Sequence, residues 1–104
     1  MLNTNKQLDN GELFITLEGR LDTLTSPGFD EELEAMLPDV KKLTLDFKDL
    51  EYISSAGLRT ILAAQQFMED NDLPNVIVLN INENVRETFE LTGFDELVDA
   101  HWAE

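Results

Sequence analysis

Cysteine is absent from this 104-residue chain, which excludes disulfides, thiolate metal sites and cysteine catalysis. Basic residues are scarce: 7 Lys and Arg stand against 22 Asp and Glu, a formal net charge of −15. Such a surface repels phosphate backbones and anionic lipid, so direct nucleic-acid and membrane-surface binding are not expected. Histidine occurs once, as His101, and there is no G-x-S-x-G elbow. With the lone histidine close to the C-terminus and no elbow to present a nucleophile, a serine hydrolase is not expected. No Gly-Lys pair is present to form a P-loop, and Gly57 stands alone where a dinucleotide fingerprint needs three spaced glycines. Long apolar runs are missing too. The longest, Val76 to Leu79, falls far short of the roughly 18 residues of a membrane span. The first ten residues, MLNTNKQLDN, have neither the basic head nor the apolar stretch of a secretory leader. Asp70 and Asp72 flank Asn71 without EF-hand spacing, which reads as a solvated turn and not a metal site. No catalytic residue, metal or cofactor is assigned, an enzyme is not expected, and a reducing, cytoplasmic setting fits these absences.

What remains is a globular composition, 42% hydrophobic and 8% aromatic, at a length that gives one domain, residues 1–104. A chain of this size buries roughly two thirds of its unfolded surface, enough for one core. Leu13, Ile15 and Leu17 alternate with Phe14, Thr16 and Glu18, a half-buried strand, and a strand over Thr4 to Leu8 precedes it across an Asp9-Asn10-Gly11 turn. Ser26-Pro27 predicts a helix start, with the serine as cap and proline at the first helical position. Phe29, Leu33, Met36 and Leu37 form its apolar stripe, ended by Pro38. Leu43, Leu45 and Phe47 mark a third strand ending near Phe47. A helix from about Ala56 carries Leu58, Ile61, Leu62, Gln65 and Met68 inward. Val76 to Leu79 reads as a strand buried on both faces. Asn82 caps a third helix carrying Val85 and Phe89, Gly93 is its left-handed terminator, and Leu97-Val98 adds a short last strand. The order ββαβαβαβ predicts an α/β domain, a mixed central β-sheet with helices packed on it. Phe29, Leu33, Met36, Leu45, Phe47, Ile61, Leu62, Ile77, Leu79 and Phe89 are the expected core.

The run YISSAGLR, residues 52–59, puts two hydroxyls at a strand-to-helix junction, the edge where ligands and partners usually dock on α/β sheets. One serine can cap the helix. Gly57 allows close packing or an unusual backbone angle. A serine at a helix N-terminus can also carry a regulatory phosphate, of about −1.5 to −2 charge, stabilised by the dipole and free N–H groups. Composition and spacing leave both readings open.

Three segments, "LEGRLDTLTSP" (17–27), "LTLDFKDLEYISSAGLRTIL" (43–62) and "NVRETFELTGFDELV" (84–98), resemble the STAS domain, and specifically the bacterial anti-sigma factor antagonists. With the matching element order they span nearly the whole chain. The resemblance implies partner switching and regulation of transcription. The unmodified antagonist binds an anti-sigma factor that is also a serine kinase and so frees a sigma factor. The kinase inactivates the antagonist by phosphorylation, and a serine phosphatase restores it. The usual motif is D-S-[ST]-G-L. Aligned on Gly57-Leu58, it makes Ser55 the phosphoacceptor, puts Ser54 where aspartate is usual and Ala56 at the second hydroxyl position. Asp22, in "GRLD", matches a family aspartate beside the same surface. The partner-binding set implied is Asp22, Ser54, Ser55, Ala56, Gly57, Leu58 and Arg59. A monomer is expected on separate grounds, since no long apolar edge or helix is left over. The alternative is a STAS regulatory or scaffold subunit of another complex, in secretion control, a stress complex or a lipid transporter, with no sigma factor to free.

Overall fold

A computed structural model describes residues 1–104. Asn10 and Gly11 both take positive φ, 52° and 83°, the backbone that a two-residue hairpin turn requires and that Asn-Gly supplies at low cost. β1 (Leu2–Asp9) therefore folds back antiparallel on β2 (Glu12–Leu21), Asp9 opposite Glu12. α1 (Ser26–Met36) and a 3-10 turn at Leu37–Asp39 lead to β3 (Lys42–Ile53), parallel to β2. α2 (Ser55–Asp70) leads to β4 (Ile77–Ile81), and α3 (Glu83–Thr92) to β5 (Asp99–Trp102), again in parallel. The five strands lie in sequence order, β1-β2-β3-β4-β5. The order ββαβαβαβ and the mixed sheet agree with the sequence reading. No helix is long and apolar enough to cross a membrane.

That strand order decides where the helices go. Right-handed crossovers that always step the same way along a sheet leave every helix on the same face. Leu13, Ile15 and Leu17 of β2, Leu43, Leu45 and Phe47 of β3, and Val78 of β4 are buried under Phe29 and Leu33 of α1, Ile61, Ala64 and Met68 of α2, and Val85 and Phe89 of α3, in one cluster. The other sheet face has no helix cover. Ile77 and Leu79 point to it and are only half-buried, while Val76, Val78 and Ile81 are buried. This corrects the expectation of a strand buried on both faces and of Ile77 and Leu79 in the core. Met36 and Leu62 also lie half-buried at the rim, packed against the core and not inside it. Gln65 is buried within α2, its Oε1 accepting from Val76 N at 2.7 Å and its Nε2 donating to Asn75 at 2.9 Å. It ties the helix to the entry of β4.

Three boundaries differ from the sequence reading. β3 continues six residues past Phe47 to Ile53. Two register shifts, between Thr16 and Glu18 and between Gly19 and Arg20 of β2, leave β3 with extra residues. Its inward positions after Phe47 become Leu50 and Ile53, a spacing of three that hides the strand period of two. The last strand starts at Asp99, beyond a 3-10 turn at Phe94–Glu96 that leaves Leu97 exposed and Val98 buried. At the head of α1, Thr25 is the cap residue and makes no side-chain cap bond, whereas Ser26 is already helical, 3% exposed, its hydroxyl without a partner. Thr25 is occupied elsewhere, in the loop described next.

Candidate functional site

β2, β3 and β4 run parallel, so the loops leaving their C-terminal ends share one edge, and all three helices begin there. At its centre β3 passes into α2 through a single residue, Ser54. Ser54 is extended (φ −97°, ψ 174°) and its Oγ accepts from Gly57 N at 3.3 Å, the N-cap bond. Its N–H donates to Leu21 O at 2.9 Å and its carbonyl accepts from Leu58 N at 3.0 Å. Ser54 thus bonds the backbone around it through its Oγ, its N–H and its carbonyl. Ser55 is the first helical residue and is exposed. The two serines separate into a structural one and a presented one.

Gly57 explains how close the junction is. A Cβ there would lie 2.8 Å from Leu21 Cγ, 2.9 Å from Ile53 Cγ1 and 2.9 Å from the Leu21 carbonyl oxygen. The helix start is pressed against the ends of both strands, and only a hydrogen fits. Gly57→Ala is expected to cost about 3 kcal/mol by overpacking, measured by urea unfolding. A cost below about 0.5 kcal/mol would mean that α2 can lift away from β2. Gly57 and Leu58 are both buried, so they shape the edge from beneath. Ala56 is half-buried. Arg59 is exposed and, in a chain this acidic, has no carboxylate within ion-pair distance. Ala56 and Arg59 line one wall of a shallow groove of about 500 Å³, with Thr23, Ser26, Pro27 and Asp30 opposite.

Asp22 organises the neighbouring loop. Its Oδ1 accepts from Leu24 N at 3.0 Å, from Thr25 N at 3.1 Å and from Thr25 Oγ1 at 3.2 Å. Thr25 Oγ1 also reaches Arg20 O at 2.8 Å and accepts from Asp22 N at 2.9 Å. The Thr25 N–H, above all, with the Leu24 N–H and the Thr25 hydroxyl, holds the Asp22 carboxyl below the ordinary aspartate value of 3.8, against partial desolvation. A depressed folded-state pKa means support for the loop that is complete at neutral pH and is lost as pH falls through that lowered value. An NMR titration should therefore give Asp22 a midpoint below 3.8, with the Leu24 and Thr25 amide shifts moving together with it. A midpoint at or above 3.8 would mean that these bonds do not persist in solution.

Three residues in or beside the loop were not singled out from the sequence. Arg20 pairs with Tyr52 across the β2–β3 ladder, its guanidinium 4.3 Å from the ring centroid and its Nε 3.7 Å from Asp22 Oδ2. This is a cation–π pair on an exposed ring. Tyr52 sits in the YISSAGLR run, but only strand register brings Arg20 over it. Leu24 is the third, a loop leucine with no periodicity to mark it. The structure thus gathers Asp22, Ser54, Ser55, Ala56 and Arg59 around one edge, with Gly57 and Leu58 beneath it.

A five-stranded mixed sheet with three helices on one face, a capped serine junction and a carboxylate-braced loop beside it define a small α/β domain. Residues 3–103 match the STAS domain family, and the chain belongs to it. Within that family it groups with the anti-sigma factor antagonists. BtrV of Bordetella bronchiseptica, assigned as such an antagonist, is 32% identical over 87 residues, covering 82% of this chain and 73% of that protein. The crystal structure of an anti-sigma factor antagonist from Mycobacterium paratuberculosis superposes with a TM-score of 0.80 at 21% identity, covering 97% of this chain and 86% of that one. The Bacillus cell fate determinant SpoIIAA, solved in its phosphorylated form, superposes with a TM-score of 0.75 at 18% identity over 94% and 90% of the two chains.

Proposed function

We propose that this chain is a phosphorylation-switched binding module: it holds an anti-sigma factor that is also a serine kinase, so freeing a sigma factor, and lets go when Ser55 is phosphorylated. A serine phosphatase resets it. The chain itself performs no chemistry and works as a monomer in the cytoplasm. The observation that carries this reading is the division of labour between the serines. Ser54 is spent on the cap, whereas Ser55 is exposed at the first position of a sixteen-residue helix. Phosphate at that position faces free N–H groups and the positive end of the helix dipole. Arg59, one turn further along α2 and unpaired, is placed to share the new charge. The phosphorylated form of a protein with this fold, SpoIIAA, supports the same reading.

Ser54 stands where relatives in this family usually have aspartate, and it still makes the cap bond that an aspartate would make. The motif's departure therefore preserves the helix start that presents Ser55. Incubation with the cognate kinase and ATP, followed by intact mass and phosphopeptide mapping, tests the assignment. One phosphate on Ser55 is expected. Modification that survives in Ser55→Ala and vanishes in Ser54→Ala would overturn the site, and modification of neither serine would overturn the switch.

A further inference from the structure

Leu24 is 90% exposed, more than any other large apolar side chain of the protein. Exposed leucines are ordinary on unbraced loop tips, but this one sits on a loop whose backbone is braced. Its own N–H is held by Asp22 Oδ1, and the next residue is held three times, through Thr25 N to Asp22, Thr25 Oγ1 to Arg20 O and Asp22 N to Thr25 Oγ1. The strand that carries the loop is bonded to the serine junction, Ser54 N to Leu21 O at 2.9 Å. A second exposed apolar surface, Tyr52 at 41%, lies on the same edge under Arg20.

We infer that Leu24 is an apolar anchor for the kinase partner, entering a pocket on that protein whose rim is basic. This rests on the reading of the serine edge as the docking face, and adds to it the residue that sets grip and selectivity. The charge around the anchor identifies the rim. Asp22 lies in the loop and Glu51 beside Tyr52. Arg20, 3.7 Å from Asp22, and Arg59 are the cations on this edge, but the chain as a whole carries −15, so an acidic rim would be repelled at long range. The rigid loop matters as much as the side chain. With the loop backbone already braced, only the leucine side chain is ordered on binding, so most of the area that it buries converts to affinity. Such an anchor acts on dissociation, while the acidic surround acts on encounter. The two are separable by experiment.

The test uses the full chain and the purified anti-sigma factor serine kinases of its own genome, with ADP present so that no phosphate moves. Leu24→Ala should weaken binding by about tenfold or more, through a faster off-rate, with the on-rate and its salt dependence unchanged. Leu91→Ala removes a leucine of similar exposure, 81%, from the last turn of α3, away from the serine edge, and should change nothing. Melting temperatures of both variants should match the wild type, because neither side chain is packed. If the wild-type chain binds a kinase and Leu24→Ala binds it equally well, the anchor is refuted and the switch stands. If no kinase binds the wild-type chain, the switch and the anchor fall together.

Discussion

In ATP, the Ser55→Ala chain should stay bound to its kinase while the wild-type chain is released, with a difference in apparent Kd of about a hundredfold or more. The size follows from the charge. A phosphate brings about −1.5 to −2 units into a surface that must become dry on docking, and a misplaced like charge in an interface costs several kcal/mol. Every 1.4 kcal/mol is tenfold, so two decades are a modest expectation. The release should occur without unfolding. Ser55 contributes no side-chain bond to the helix start, since Ser54 makes the cap, and a negative group at a helix N-terminus is favourable. Ser55→Asp should therefore melt at or slightly above the wild-type temperature and yet bind more weakly, though less so than the phosphorylated chain, because one carboxylate carries half the charge of the dianion. Equal binding of Ser55→Asp and wild type, with a clear effect of phosphate, would point to phosphate geometry and not charge. Loss of binding in Ser55→Ala without ATP would mean that the hydroxyl is itself a docking contact.

Phe89→Ala should be the most damaging single truncation, about 4 kcal/mol. Phe89 is fully buried and joins three elements: its ring meets Phe47 of β3 edge-on at 6.2 Å between centroids and Phe94 of the following turn at 5.2 Å. Removing it leaves a cavity walled by two rings that are held by a strand and a turn and cannot close inward. Domains of this kind hold about 5–15 kcal/mol in total, so a large part of the stability goes, and the melting point should fall by about 15–30 °C. Phe89→Leu should recover more than half of the loss. The serine edge supplies an internal check. α3 is tied to β3 separately, through Asn82 Nδ2 to Leu50 O at 2.7 Å and the Asn82 cap bond to Val85 N at 3.0 Å. At temperatures where Phe89→Ala is still folded, kinase binding should be close to wild type. A cost under about 1 kcal/mol would show that the ring cluster is loosely packed in solution.

What could be read in the sequence, and what could not, divides along physical lines. The Asn10-Gly11 turn, the Asn82 cap and the Gly93 terminator each depend on one side chain or on the lack of one, and all three are where the chain predicts them. That one of the two serines caps α2 follows from the same local logic, but that it is Ser54, with the helix starting at Ser55 and not at Ala56, is seen only in the structure. The head of α1 did not follow that logic. Ser26 looked like the cap because it precedes proline, but Asp22 and Thr25 build a competing loop that moves the start one residue earlier. The second half of β3 was hidden by bulges, which are defined by a partner strand and leave no pattern in their own. The half-exposure of Ile77 and Leu79 was out of reach for a different reason: the side on which a crossover passes is a property of the whole sheet. Arg20 over Tyr52 and the exposure of Leu24 depend on register and loop geometry, so no periodicity announces them.

The tightness of the Gly57 junction has a consequence for timing. Leu21, Ile53 and the helix start are in contact with nothing between them, and Ser54 is tied to both sides. If Ser55 is switched as proposed, an edge packed this closely leaves little room for a slow rearrangement, so the switch would carry little lag and keep little history. Its state would be the state of the Ser55 oxygen. Response would then be as fast as the kinase and phosphatase allow, and since both must reach the same atom on the same unyielding edge, they must take turns. A cell would set the balance by the relative abundance of two enzymes, with the chain itself acting as a passive ledger of which came last.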